Sequence, residues 1–145
     1  MPVVRRSNWS WQGFRGPAID TAWPTIWPLL APCVALDDGR YDETSVKEAI
    51  RRGDFQLWLA GAGKYDLAVT TEIRVYPCQK RVNIKYVGGK GLPLAFDFLG
   101  TIEAWALTQG CMGVEGYGRA EWARLLKSRG YRISGQGYEK RLVEG

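Results

Sequence analysis

Residues 65–110 read YDLAVTTEIRVYPCQKRVNIKYVGGKGLPLAFDFLGTIEAWALTQG, and this stretch decides the fold. Leu67, Val69, Thr71, Ile73 and Val75 recur at period two, which predicts a strand over 65–76 with one apolar face. Residues 77–80 form a turn. Val82, Ile84 and Tyr86 then alternate against Asn83 and Lys85, predicting an antiparallel partner over 81–87. Gly88, Gly89, Lys90 and Gly91 break that alternation. A long helix is predicted to open at Pro93, because a first-turn proline loses only an amide that has no partner there. Leu94, Phe98, Ile102, Trp105 and Ala106 form its buried stripe, and Gly110 stops it.

Working outward, residues 55–60 supply the first strand of a three-stranded meander. Upstream, Ser45-x-x-Glu48 reads as a capping box for a helix that buries Val46, Ala49 and Ile50 and ends at Gly53. Asp37-Asp38-Gly39 is a turn. Trp23, Ile26, Trp27, Leu30 and Val34 have helical spacing, but Pro24, Pro28 and Pro32 interrupt them. Each proline removes an amide donor and crowds the preceding turn, so short kinked turns are expected there. Residues 1–17 form a basic, aromatic arm with Arg5, Arg6, Trp9, Trp11 and Phe14, and residues 3–6 read as a short first strand. The rest of the arm has no strand or helix period. Its aromatics must cover either this domain's own surface or a partner.

Downstream, residues 112–117 read as a short strand. Residues 119–129 read as a helix with Trp122, Leu125 and Leu126 inward and Arg124, Lys127 and Arg129 outward. Residues 131–133 and 138–142 read as a closing hairpin. The order predicts an α/β (α+β) fold: a mixed, mainly antiparallel sheet of six to seven strands flanked by about four helices. It fits one domain over 18–145 behind the arm, as expected for 145 residues.

Composition bounds the chemistry. The chain has no histidine, which excludes Ser-His-Asp and Cys-His nucleophilic machinery and removes the commonest metal ligand. Cys33, Cys78 and Cys111 are odd in number and far apart, so neither a disulfide framework nor a metal site is expected. No apolar run is long enough to cross a bilayer, and Arg5 and Arg6 precede no signal-peptide core, so a cytoplasmic location is expected. The net charge of +5 is uneven. Residues 1–16 carry three bases and no acid, whereas 17–118 carry ten bases against twelve acids. Residues 119–145 carry seven bases against three acids. The basic ends are either solvated surface or contacts for something acidic, nucleic acid included.

The element order resembles the GNAT superfamily of N-acetyltransferases over about residues 40–143. So do Ile102-Glu103-Ala104-Trp105-Ala106, Gly110-Cys111 and the run RAEWARLLKSRGY at 119–131. These segments look most like the small GNAT-like proteins of tailed bacteriophages, some of which are virion components. The resemblance implies that backbone amides before the long helix hold the diphosphate of acetyl coenzyme A. That places Gly88, Gly89, Lys90 and Gly91 at the cofactor loop. Gly91 matches the family's central glycine, while Gly88 and Pro93 depart from the flanking positions. The family's acid tyrosine falls on Leu126, and strand 81–87 has no glutamate. Glu72, Tyr117 and Tyr131 are the remaining candidates for acid–base work.

Two functions follow from the resemblance. The first is a non-catalytic structural or interaction component of a phage virion that uses no cofactor. Trp9, Trp11, Phe14, Arg5 and Arg6 would be its anchors to other virion proteins or to itself, first in the host cytoplasm and then in the particle. The second is an acetyl-CoA-dependent N-acetyltransferase acting on an amine. Its cofactor would lie between strand 81–87 and strand 112–117. A third, weaker reading is nucleic-acid binding through the basic C-terminal region: Arg119, Arg124, Lys127, Arg129, Arg132, Lys140 and Arg141.

Overall fold

The computed structural model describes residues 10–12, 17–60, 66–89, 98–118 and 120–144. A five-stranded sheet runs in the order β1 (Ser10–Gln12), β2 (Gln56–Ala60), β3 (Leu67–Val75), β4 (Lys80–Gly89) and β5 (Gly113–Gly116). The first four strands pair antiparallel, and β5 pairs parallel to β4. Two helices, α1 (Pro17–Ala35) and α2 (Glu43–Arg52), lie between β1 and β2. Helix α3 (Phe98–Thr108) makes the crossover from β4 to β5. A 3₁₀ turn (Ala120–Trp122) and α4 (Ala123–Ser128) follow. The mixed α+β architecture agrees with the sequence reading. The described strands number five, not six or seven.

The sheet separates two cores. On one face, Phe98, Leu99, Ile102 and Ala106 of α3 pack on Trp58, Val69 and Val82, with Leu125 and Leu126 of α4 at the edge. On the other, Ile19, Trp23, Ile26 and Leu30 of α1 and Val46 and Ile50 of α2 pack on Leu57, Leu59 and Ala68. Trp58 Nε1 donates to Thr71 Oγ1, which donates in turn to Gln56 Oε1, so these buried polar atoms are satisfied within the sheet.

Four expectations need correction. First, α1 is one continuous helix, because Pro24, Pro28 and Pro32 recur at four-residue spacing on its exposed face. The carbonyls that lose their amide donors therefore face water, while Ile19, Trp23, Ile26, Leu30 and Val34 stay buried opposite. Second, α2 is capped one turn earlier than the expected Ser45–Glu48 box. Asp42 Oδ1 accepts from Ser45 N, and Ser45 Oγ accepts from Asp42 N. Glu48 pairs with Arg51 instead.

Third, residues 131–144 contain no strand and no closing hairpin. Their sparse apolar side chains, Ile133, Tyr138, Leu142 and Val143, stay exposed and give no face to bury. The segment is fastened by side chains instead. Arg141 donates to the carbonyl and carboxylate of Asp38, Arg40 pairs with Glu139, and Tyr131 OH donates to Glu103. Fourth, the arm is not irregular throughout, since Ser10–Gln12 pairs with Leu57–Leu59 of β2. Residues 3–6 and Pro93 lie outside the described residues.

The reciprocal cap makes a specific claim. Asp42→Ala is expected to lower stability by about 1 kcal/mol. Ser45→Ala should cost a similar amount, and the double variant less than the sum, because one reciprocal pair is lost in each case. Glu48→Ala should cost no more than about 0.5 kcal/mol. Urea unfolding of the four variants against the parent measures this.

Candidate functional site

The one parallel pair among the described strands comes apart partway along. β4 and β5 are in register from Arg81↔Gly113 to Ile84↔Gly116, and β4 then continues to Gly89 without β5. The separation coincides with a β-bulge. Thr70 pairs with Tyr86 and Thr71 with Ile84, so Lys85 is the extra residue in β4. Alternation predicted Tyr86 in phase with Val82 and Ile84. The bulge reverses that phase: Tyr86 joins the α1–α2 core, while Ile84 and Val87 pack on the α3 core. Lys85 comes to lie beside Tyr86 on the α1–α2 side.

That side of the opening is chemically closed. Tyr86 OH donates to Asp37 Oδ2 at 2.6 Å. Lys85 Nζ stands 3.7 Å from the same carboxylate oxygen, 4.9 Å from the Tyr41 ring centroid and 5.6 Å from that of Tyr86. A carboxylate and two aromatic faces are what a protein offers to an ammonium ion. Here Lys85 of the same chain already occupies them. Burial and then the bond to Asp37 push the Tyr86 hydroxyl far above the usual tyrosine range. Sequence reasoning missed this cluster, because nothing local ties the Asp37 turn to a strand so distant in sequence.

The expected acid–base residues are scattered. Glu72 accepts from Asn83 Nδ2 at 3.0 Å and pairs with Arg74 at 3.1 Å. It borders a separate cleft of about 700 Å³ between α2 and β3 that also includes Tyr41, Ser45, Arg52 and Phe55. Tyr131 OH donates to Glu103 of α3 at 2.6 Å. Burial, then that bond, raises Tyr131 far above its ordinary value. Tyr117 is 85% exposed. Leu126, at the family's tyrosine position, is half-buried against the α3 core. Nothing brings Glu72, Tyr117 and Tyr131 to one point.

The described part of the expected cofactor loop has another use. A Cβ on Gly88 would stand 1.9 Å from the Leu29 carbonyl oxygen of α1. A Cβ on Gly89, whose φ is +120°, would stand 2.1 Å from the Asp66 carbonyl oxygen. Cys33 Sγ donates to the Val87 carbonyl at 2.6 Å and closes the same seam. These glycines bring α1 and the start of β3 onto the β4 backbone. The space in which a side chain at either position would stand is filled by protein backbone. Lys90 and Gly91 lie outside the described residues. So do Arg5, Arg6, Trp9 and Phe14 of the arm, while Trp11 is placed by its backbone in β1.

No protein-family model matches the chain, and no curated protein matches it in sequence. Solved structures match its fold. A transcriptional regulator from Bacillus halodurans C-125 has a TM-score of 0.70 and 14% identity, covering 94% of this chain and 99% of that one. The aminoglycoside N-acetyltransferase AAC(6')-Iy, solved in complex with CoA, has a TM-score of 0.64 and 15% identity, covering 96% and 97%. A GNAT family acetyltransferase of Staphylococcus aureus has a TM-score of 0.64 and 12% identity, covering 95% and 100%. The chain has the GNAT acetyltransferase fold. Among the described residues, no helix is long and apolar enough to cross a membrane.

Two predictions follow from the seam and the buried hydroxyls. Gly88→Ala should destabilise the fold by about 3 kcal/mol or more, because backbone must move to admit one methyl group. An unchanged urea midpoint would return Gly88 to a ligand-binding role. Tyr86 and Tyr131 keep their protons above the ordinary value of 10.0, so above that pH the folded state holds more protons than the unfolded chain. Their contribution is full below about pH 10 and is lost as pH rises beyond it. Urea titrations from about pH 9 to 11 should show that fall, and Tyr131→Phe should flatten it.

Proposed function

We propose that this GNAT-fold protein works as a non-catalytic interaction component, and that it neither binds acetyl coenzyme A productively nor transfers an acetyl group. One observation carries the reading: the polar groups beside the end of the β4–β5 pairing, and the acid–base candidates elsewhere, are already used inside the chain. Asp37 is taken by Tyr86 and Lys85, Glu72 by Asn83 and Arg74, and Tyr131 by Glu103. Gly88 and Gly89 are spent on backbone packing. The partners are protein surfaces that take the aromatic and arginine side chains of the arm, Trp9, Trp11, Phe14, Arg5 and Arg6. The bacteriophage resemblance makes a virion the assembly in question. The second reading, an acetyl-CoA-dependent N-acetyltransferase, is favoured by one feature: the separation of β4 from β5 just where the resemblance places the cofactor.

Calorimetry with acetyl coenzyme A separates the two. No saturable heat up to millimolar ligand is expected. Micromolar binding, together with acetylation of a panel of amines, would establish the enzyme instead. For the interaction role, a chain lacking residues 1–9 should keep its far-ultraviolet spectrum but fail to co-purify with its assembly. Unchanged co-purification would refute Arg5, Arg6 and Trp9 as anchors.

A further inference from the structure

Lysines and arginines fall into two populations along the chain. Every described one from residue 40 to residue 85, Lys80 apart, stands within 4 Å of a carboxylate. From residue 124 onward only Arg141 does. Arg124, Lys127, Arg129, Arg132 and Lys140 are exposed and enter no ion pair among the described residues. Glu139, an acid close to them in sequence, is drawn away by Arg40. A domain that pairs its cations so consistently elsewhere leaves this set unneutralised.

Two aromatic faces accompany those charges. Tyr117 and Tyr138 are 85% and 89% exposed. Gly118 packs on Trp122 at the entrance to α4, and the Tyr117 ring lies 3.8 Å from where a Cβ of Gly137 would stand. Tyr117 therefore lies beside the C-terminal segment, just before the turn that leads into α4. Arg124 and Lys127, three residues apart, share one side of α4. Arg132 and Lys140 flank Tyr138 on a segment without regular structure.

We propose that α4 and residues 129–140 form a binding site for single-stranded nucleic acid. Unpaired cations track the phosphates, and Tyr117 and Tyr138 stack on bases. Helix α4 has only six residues, about 9 Å at 1.5 Å per residue, too short to lie along a major groove and read base edges. Recognition is therefore tolerant of sequence and selective for unpaired bases. The site does not depend on the β4–β5 opening, so it stands whether or not the chain binds coenzyme A.

Fluorescence anisotropy with a labelled oligo(dT) of about twenty nucleotides tests the proposal on the full chain. Binding should weaken with salt, with a log–log slope no steeper than about −3.5 for five phosphate contacts at about −0.7 each. Arg124→Ala with Lys127→Ala should reduce that slope by about 1.4 and weaken binding at low salt at least tenfold. Tyr117→Ala with Tyr138→Ala should weaken oligo(dT) binding roughly tenfold, leaving the salt slope and heparin binding unchanged. All four side chains are exposed, so the variants should keep the parent's unfolding midpoint. Absence of binding at low salt would overturn the proposal. So would tyrosine variants that bind oligo(dT) as the parent does, or anionic vesicles that compete as well as the oligonucleotide. The last two would leave only a general polyanion or membrane surface.

Discussion

A single extra residue in β4 organises the molecule. With Lys85 inserted opposite the Thr70–Thr71 step, the strand changes which side chains it presents to each core. Val82 and Ile84 serve the α3 core before the bulge, and Tyr86 serves the α1–α2 core after it. The bulge adds local twist to the strand, and pairing with β5 stops at Ile84. The end of the pairing between the parallel strands thus coincides with the bulge.

Closing that opening from the α1–α2 side takes a second constraint, the lack of a side chain at Gly88. α1 can lie against the β4 backbone only because no Cβ meets the Leu29 carbonyl. Held that close, α1 brings the Asp37 turn over Tyr86 and Lys85, and a carboxylate meets a phenol and an ammonium. The resulting cluster is self-satisfied. It acts as a clasp between the Asp37 turn and β4.

The sequence made the meander, the helix before β5 and the apolar faces of the helices legible, because each rests on hydrophobic period over many residues. It failed where the decisive event is a one-residue change of phase. Nothing in the run Val82–Val87 distinguishes a strand that alternates throughout from one that bulges at Lys85. It failed again at α1, where prolines were weighed as helix breakers without regard to which face they share. Three prolines on one solvent-facing stripe cost the helix hydrogen bonds that water replaces. The cap was misplaced by three residues because Asp42 and Ser45 each suit an N-cap, and only the backbone decides between them. Of the site, the sequence nominated Gly88 and Gly89 for the loop at the end of β4. It could not show that Gly88 and Gly89 are filled by neighbouring backbone.

The C-terminal segment shows how charge can stand in for a ladder. A hairpin over 131–142 would have needed alternating apolar residues to bury, and these are too few. Tyr131 fixes the segment's start against α3 through Glu103, and Arg141 and Glu139 fix its far end against the Asp38–Arg40 turn. Exposed ion pairs such as these contribute little to stability and weaken with salt. They do place the segment along one side of the domain without burying it. A strand paired to β5 would have turned alternate side chains inward. A segment tethered at its two ends leaves Arg132, Tyr138 and Lys140 facing outward. The failure to form a closing hairpin is therefore what makes a cationic, aromatic surface available on this side of the fold.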